Sequence, residues 1–245
     1  MSRRRTLIGG WMLALAAIAL FGNLSAWQLR RAHEKQAMLD AAAQVLAQRQ
    51  PVPLGASADP ARAHEFAWSE GDGEFVVAGP LWLDNQQRHG RAGVRAYRLF
   101  RPEGGAPLLV DLGWLPLAGD RKLPAIDLPT GPQRLRGMLA PPPSIGLALG
   151  PALASSGDGW LMTRVDPAAI DAALPFDRPL APRVLRLDPA LPLGYDRDLE
   201  LLANTLPPDK HRGYALQWGG LALAVLVTAL ILTFRRPRGT HKAAA

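Results

Sequence analysis

Two uncharged apolar runs constrain this chain more than anything else in it. Leu7 to Trp27 reads LIGGWMLALAAIALFGNLSAW, 21 residues without an ionisable group, and Ala215 to Phe234 reads ALQWGGLALAVLVTALILTF, another 20. Roughly 20 helical residues, rising about 1.5 Å each, cross a hydrocarbon core of about 30 Å, and a helix satisfies its own backbone there. A buried soluble helix of this length would carry a polar stripe, and neither run has one. Both are read as transmembrane helices. A cleavable signal peptide is the rival for the first, but Asn23-Leu24-Ser25-Ala26-Trp27 puts bulky Leu24 where cleavage needs a small residue. A retained anchor is expected.

The chain of 245 residues has a net charge of +7, which invites a nucleic-acid reading until the charge is located. Arg3, Arg4 and Arg5 precede the first run; Arg235, Arg236, Arg238 and Lys242 follow the second. These tails hold seven of the 28 basic residues and no acid, so the segment between them balances at 21 of each. The excess belongs to the ends and reports orientation: short basic tails stay in the cytoplasm and the long segment is exported. The nucleic-acid reading fails. No cysteine is present, which removes disulfides, thiolate metal sites and thiol copper carriers.

The expected organisation follows in chain order. A cytoplasmic tail (1–6) leads into a transmembrane helix (7–27) and a helical extension (28–50) that stops before Pro51-Val52-Pro53. A β-rich α+β periplasmic domain (51–212), a second transmembrane helix (213–234) and a second cytoplasmic tail (235–245) complete it. Short apolar or alternating runs predict strands at 74–79, 94–100, 107–114, 133–139, 160–165 and 183–187. Asp166-Pro167 starts a short helix, with Asp166 as N-cap, and 191–210 reads as irregular. Arg88, Arg91, Arg95, Arg98 and Arg101 recur at helix-like spacing, but Gly90 and Gly93 break a helix, so an exposed strand edge is expected rather than a phosphate-binding face.

Catalytic patterns are missing from the sequence. The five histidines have no i, i+4 pair, the glycines form no phosphate loop, and no Gly-x-Ser-x-Gly occurs. Glu70, Asp72 and Glu74 cluster, which reads as a solvated turn. The ends of the apolar runs are richer. His211, Tyr214, Ala215 and Trp218 share one helix face, and so do Trp27, Arg31 and Lys35, with Gln28 beside them. In straight helices Trp27 and Trp218 would lie at similar depth. An aromatic belt with snorkelling cations explains this arrangement. A haem site with a histidine ligand and carboxylate-binding cations is the other reading.

Three motifs resemble the Surfeit locus protein 1 family of cytochrome c oxidase assembly proteins. Trp27-Gln28, Arg31 and Lys35 match the Gly-x-Trp-Gln-x-x-Arg-x-x-x-Lys pattern ending that family's first span. Val110-Asp111-Leu112-Gly113-Trp114-Leu115-Pro116 is similar to its central strand and turn, and His211-x-x-Tyr214-Ala215-x-x-Trp218 to the opening of its second span. Fainter echoes are Gly79, Gly137, and Trp160 with Asp166. The departures are Ser25 for glycine, Leu112 for arginine, Asp209-Lys210 for the residue before the histidine, and Gly219 for phenylalanine.

The resemblance implies two transmembrane helices around one extracytoplasmic domain, in a multi-pass protein of the bacterial inner membrane. It implies an assembly factor for haem–copper oxidase rather than an enzyme, with haem a as cofactor. The factor would aid haem a insertion or stabilise the haem-receiving subunit. His211 becomes the candidate haem-iron ligand, Arg31 and Lys35 the propionate partners, and Trp27, Tyr214 and Trp218 the packing for the macrocycle. Partners implied are oxidase subunits, above all the haem-bearing one, the haem a synthesis machinery and the lipid bilayer. The rival expectation is a haem-free scaffold that holds oxidase subunits through its periplasmic domain.

Overall fold

The computed structural model describes residues 3–127, 131–143, 150–202 and 205–235, so the basic residues beyond Arg235 lie outside the described residues. The chain divides into two compact units, one of residues 1–38 with 206–245 and the other of 39–205.

The first unit is a pair of helices, α1 (Arg3–Gln48, through its residue 38) and α3 (Pro208–Phe234). Both are long and apolar enough to cross a membrane. Inward residues of α1 recur at alternating steps of four and three: Leu7, Trp11, Ala14, Ile18, Phe21, Ser25, Gln28, Ala32 and Lys35. On α3 the same rhythm runs through His211, Ala215, Trp218, Ala222, Val225 and Ala229, and one further step of four reaches Thr233. A 3.5-residue repeat keeps one seam facing its partner, and small residues let the backbones approach. Trp11 Nε1 donates to Thr233 Oγ1 at 2.9 Å, Phe21 stacks on Trp218 at 5.5 Å, and Ser25 Oγ donates to the Ala215 carbonyl at 2.9 Å. The partners run in opposite order, so the helices are antiparallel.

In the second unit nine strands form one mixed sheet among the described residues. They are β1 (Pro51–Pro53), β2 (Ala67–Phe75), β3 (Leu81–Arg88), β4 (Arg91–Pro102), β5 (Leu108–Pro116), β6 (Gln133–Ala140), β7 (Leu153–Ser156), β8 (Gly159–Met162) and β9 (Val184–Leu187), in the order β1-β2-β6-β9-β5-β4-β3-β8-β7. An extra β2–β4 pairing joins Gly73 to Pro102 and Phe75 to Phe100, which closes β2, β6, β9, β5 and β4 into a circuit, a small barrel. Leu54, Phe100, Leu108, Val110, Leu112, Leu135, Leu139 and Leu185 form one apolar core. A second core, around Leu81, Tyr97, Leu99, Leu109 and Met162, includes Ile170 of the short helix α2 (Pro167–Ala173). The last turns of α1 pack Ala42 with Trp68 and Met138.

Most predicted elements are found. The helix at Pro167 is capped as expected, Asp166 Oδ1 accepting from the Ala169 amide at 3.2 Å. The strand expected at 74–79 stops at Phe75, and β1, β3 and β7 come from stretches whose sequence carried no clear alternation. Two expectations are overturned. The arginine-rich β4 is no sheet edge: it lies between β3 and β5, and Arg95 is buried. Glu70, Asp72 and Glu74 form no turn; they lie in β2, where Arg134 of β6 reaches Glu70 and Asp72, each at 3.2 Å.

Candidate functional site

The start of α3 brings His211 together with Gln28 of α1, and Lys35 onto the segment that leads into it. Pro208 opens this helix, where a missing N–H costs nothing, and His211 follows one turn in, facing the seam. Gln28, on the same seam of α1, sets the imidazole: its Oε1 accepts from His211 Nδ1 at 2.6 Å. An amide oxygen can only accept, so Nδ1 carries the proton and the neutral ring keeps its lone pair on Nε2. That Nε2 is buried with no hydrogen-bond partner, on a residue only 6 % exposed. An imidazole oriented through one nitrogen and bare at the other is the arrangement metal-ligating histidines use.

The neighbours divide. Lys35 is on the seam and buried, and its ammonium donates to the Leu206 carbonyl. Arg31 lies off the seam and pairs with Glu34 at 3.1 Å. Trp27 and Tyr214 are 49 % and 41 % exposed, so neither joins the helix contact. Trp218 is drawn to Phe21 instead, at an interplanar angle of 27°. The equal-depth expectation for Trp27 and Trp218 fails for the same reason: Trp218 is level with Phe21, six residues and about 9 Å along the helix from Trp27. Thus His211, Lys35 and Trp218 turn inward while Trp27, Arg31 and Tyr214 face outward. Sequence reasoning took a face through Trp27, Arg31 and Lys35; the packed face is Gln28, Ala32 and Lys35. The unbroken four-three run from Leu7 through Trp11, Ala14, Ile18, Phe21 and Ser25 to Gln28 in α1 was the signal that could have found it.

In the other unit, the central motif on β5 holds a buried charge cluster. Alternation sends Leu108, Val110 and Leu112 into the first core and leaves Asp111 on the opposite side. Asp111 accepts from Arg95 at 2.6 Å and from the Gly113 amide at 3.0 Å, and Arg186, its register partner on β9, stands at 3.8 Å. The carboxylate raises the Arg95 pKa, whereas burial lowers that of Arg186 and raises that of the Tyr97 phenol. Arg88 pairs with both Asp196, at 2.7 Å, and Asp198. Gly113 has φ +115°, and an added Cβ would sit 2.9 Å from the carbonyl oxygens of Tyr195 and Asp196. Only glycine fits there without strain.

Three departures from the family pattern acquire physical accounts. Leu112, where the pattern has arginine, is fully buried in the first core, a place for an apolar side chain. Ser25 and Gly219 face each other: a Cβ on Gly219 would lie 3.5 Å from Ser25 Oγ. No curated protein matches the chain. The SURF1 family model does, over residues 15–223, a span that takes in most of α1, the first part of α3, the sheet and all three motifs. The chain belongs to the SURF1 family, a family associated with cytochrome c oxidase assembly.

Proposed function

We propose that this chain is an assembly factor of the bacterial inner membrane that serves the haem side of cytochrome c oxidase biogenesis, aiding haem a insertion or steadying the subunit that receives it. Both termini lie in the cytoplasm and the sheet unit in the periplasm, a placement supported by the basic tails and the two long apolar helices. The observation that carries the haem reading is the unpartnered, buried Nε2 of His211, opposite an Nδ1–H held by Gln28. Bound haem a would supply an iron needing an axial donor, and a neutral imidazole is such a donor.

The residues fit the group in part. The donor fits. Lys35 is already spent on a backbone carbonyl and Arg31 on Glu34, so of the proposed propionate partners Arg31 is the one that can turn to an outside carboxylate, its side chain being 44 % exposed. Trp27 and Tyr214 offer exposed aromatic faces near the helix ends. A specific observation favours the second reading, a haem-free scaffold: Nε2 is covered, and the same contacts serve as ordinary helix pairing.

Complementation separates the two. In cells lacking this chain, wild type restores haem a-containing oxidase. The haem reading expects His211→Ala to fail and the scaffold reading expects it to succeed, provided both proteins accumulate equally. Oxidase haem a content, measured by difference spectroscopy on membranes, is the readout.

A further inference from the structure

A cavity of about 740 Å³ opens in the sheet unit, far in sequence from His211. Its floor is Trp82 of β3 and Arg98 of β4, and one wall is the strap 121–127. The strap is fixed at its middle and its far end: Trp82 Nε1 donates to the Pro124 carbonyl at 3.0 Å, and Tyr195 Oη accepts from the Asp127 amide at 3.0 Å. Arg121 is held on Asp84 at 3.1 Å. The volume falls within the range of small-molecule sites.

Arg98 is the unexplained group. Other inward guanidinium groups of this unit have partners: Arg95 has Asp111, Arg88 has Asp196 and Asp198, and Arg183, Arg186 and Arg197 have backbone carbonyls. Arg98 has neither an ion pair nor a hydrogen bond among the described residues, and its Nε is buried without an acceptor. Arg98 is half-buried with its guanidinium facing the cavity, and an incoming carboxylate can accept from it through two parallel hydrogen bonds. Asp158 and Asp127 also line the cavity, and Asp158 acts on Arg98 through space. Arg121 and Lys122 line it as well, each paired outside it with Asp84 and Asp120, so three cations and two acids leave the lining one positive charge, a match for a single negative charge rather than for phosphate or a polyanion. Leu123, Pro124 and Ile126 of the strap, each partly exposed, supply apolar surface for the body of the ligand.

We propose that this cavity is a binding site for a single carboxylate carried on an apolar or flat body, with Arg98 as its anchor. The carboxylate comes from a small free acid or from an acidic side chain of a protein partner. The test uses the full chain in detergent, with benzoate, its neutral analogue benzamide and N-acetylglutamate α-amide as probes in saturation-transfer NMR. Saturable benzoate or acetylglutamate-amide binding, no benzamide binding, and a loss of about tenfold or more in Arg98→Met support the site. The tighter of the two acids tells the source. If Arg98→Met does not fold, Arg98→Lys is measured against wild type, and weaker but retained acid binding is expected. Failure of both acids to bind wild type, equal binding of benzamide, or binding unchanged by substitution of Arg98 overturns the proposal. None of these readouts involves haem, so the outcome is independent of His211.

Discussion

A single carboxylate decides the charge balance of the sheet unit. Asp111 is 3 % exposed and lies against two arginines that are themselves largely buried. Removing it strands those cations, and breaking a buried pair from one side costs about 3–5 kcal/mol. Asp111→Ala is therefore expected to lower the thermal midpoint of the sheet unit by many degrees, read by circular dichroism. A midpoint within a degree of wild type would contradict the charge account. Gly113→Ala is expected to cost about 1–3 kcal/mol through a forced left-handed φ and two carbonyl clashes. The same melting curves report it.

Acid sensitivity follows from other carboxylates at the same scale. A hydrogen bond from Arg88 holds Asp196 below its ordinary pKa. Burial opposes ionisation of Asp188, but hydrogen bonds from the Ala190 amide and Arg136 outweigh it and lower its pKa as well. A folded-state pKa below the unfolded one contributes stability that is fully present above the unfolded value. That stability is lost as pH falls through the folded value, so melting should decline from about pH 5 downward. Asp188→Asn should flatten the decline, measured as midpoint against pH between 7 and 3. An unaltered slope would show that this carboxyl does not govern it.

The helix seam sets the behaviour of the elements. Ser25, Ala215 and Gly219 bring α1 and α3 together closely enough for a backbone carbonyl to accept from a side chain across the contact. Gly219→Phe, which restores the usual family residue, is expected to destabilise the pair by about 1–3 kcal/mol by overpacking. Gly219→Ala should be tolerated, since its Cβ would meet Ser25 Oγ at ordinary contact distance. Melting in detergent distinguishes the two variants. Much at this scale was legible in the sequence: the apolar runs, the Pro51 stop, the capped helix at Asp166 and the strands β4, β5 and β6. The faces were not. Spacing alone allowed Trp27 and Arg31 to share the contact because helical residues four apart lie on one side, and only packing chose Gln28 and Ala32. The burial of β4 was hidden for a related reason, since Arg95 looks solvent-facing until Asp111 is seen opposite it.

At the scale of the molecule, the family assignment joins two units with different chemistry. The helix pair holds an oriented histidine with a bare nitrogen, and the sheet unit holds a closed set of strands stiffened by buried ion pairs. The family's association with oxidase assembly was legible from three spaced motifs, because each occupies a structurally demanding place: a helix start, a bulged strand with an obligatory glycine, and a helix seam. The partner of His211 was not, because a glutamine in a helix has no sequence mark that separates a ligand-orienting role from solvation.

We propose that His211 presents its Nε2 to haem a. The most direct test is the absorption spectrum of the full chain purified in mild detergent from cells that make haem a, beside Gln28→Leu and His211→Ala prepared identically. Wild type should carry haem a, Gln28→Leu less of it, and His211→Ala little or none. Equal haem in wild type and His211→Ala, or none in either, would contradict the account.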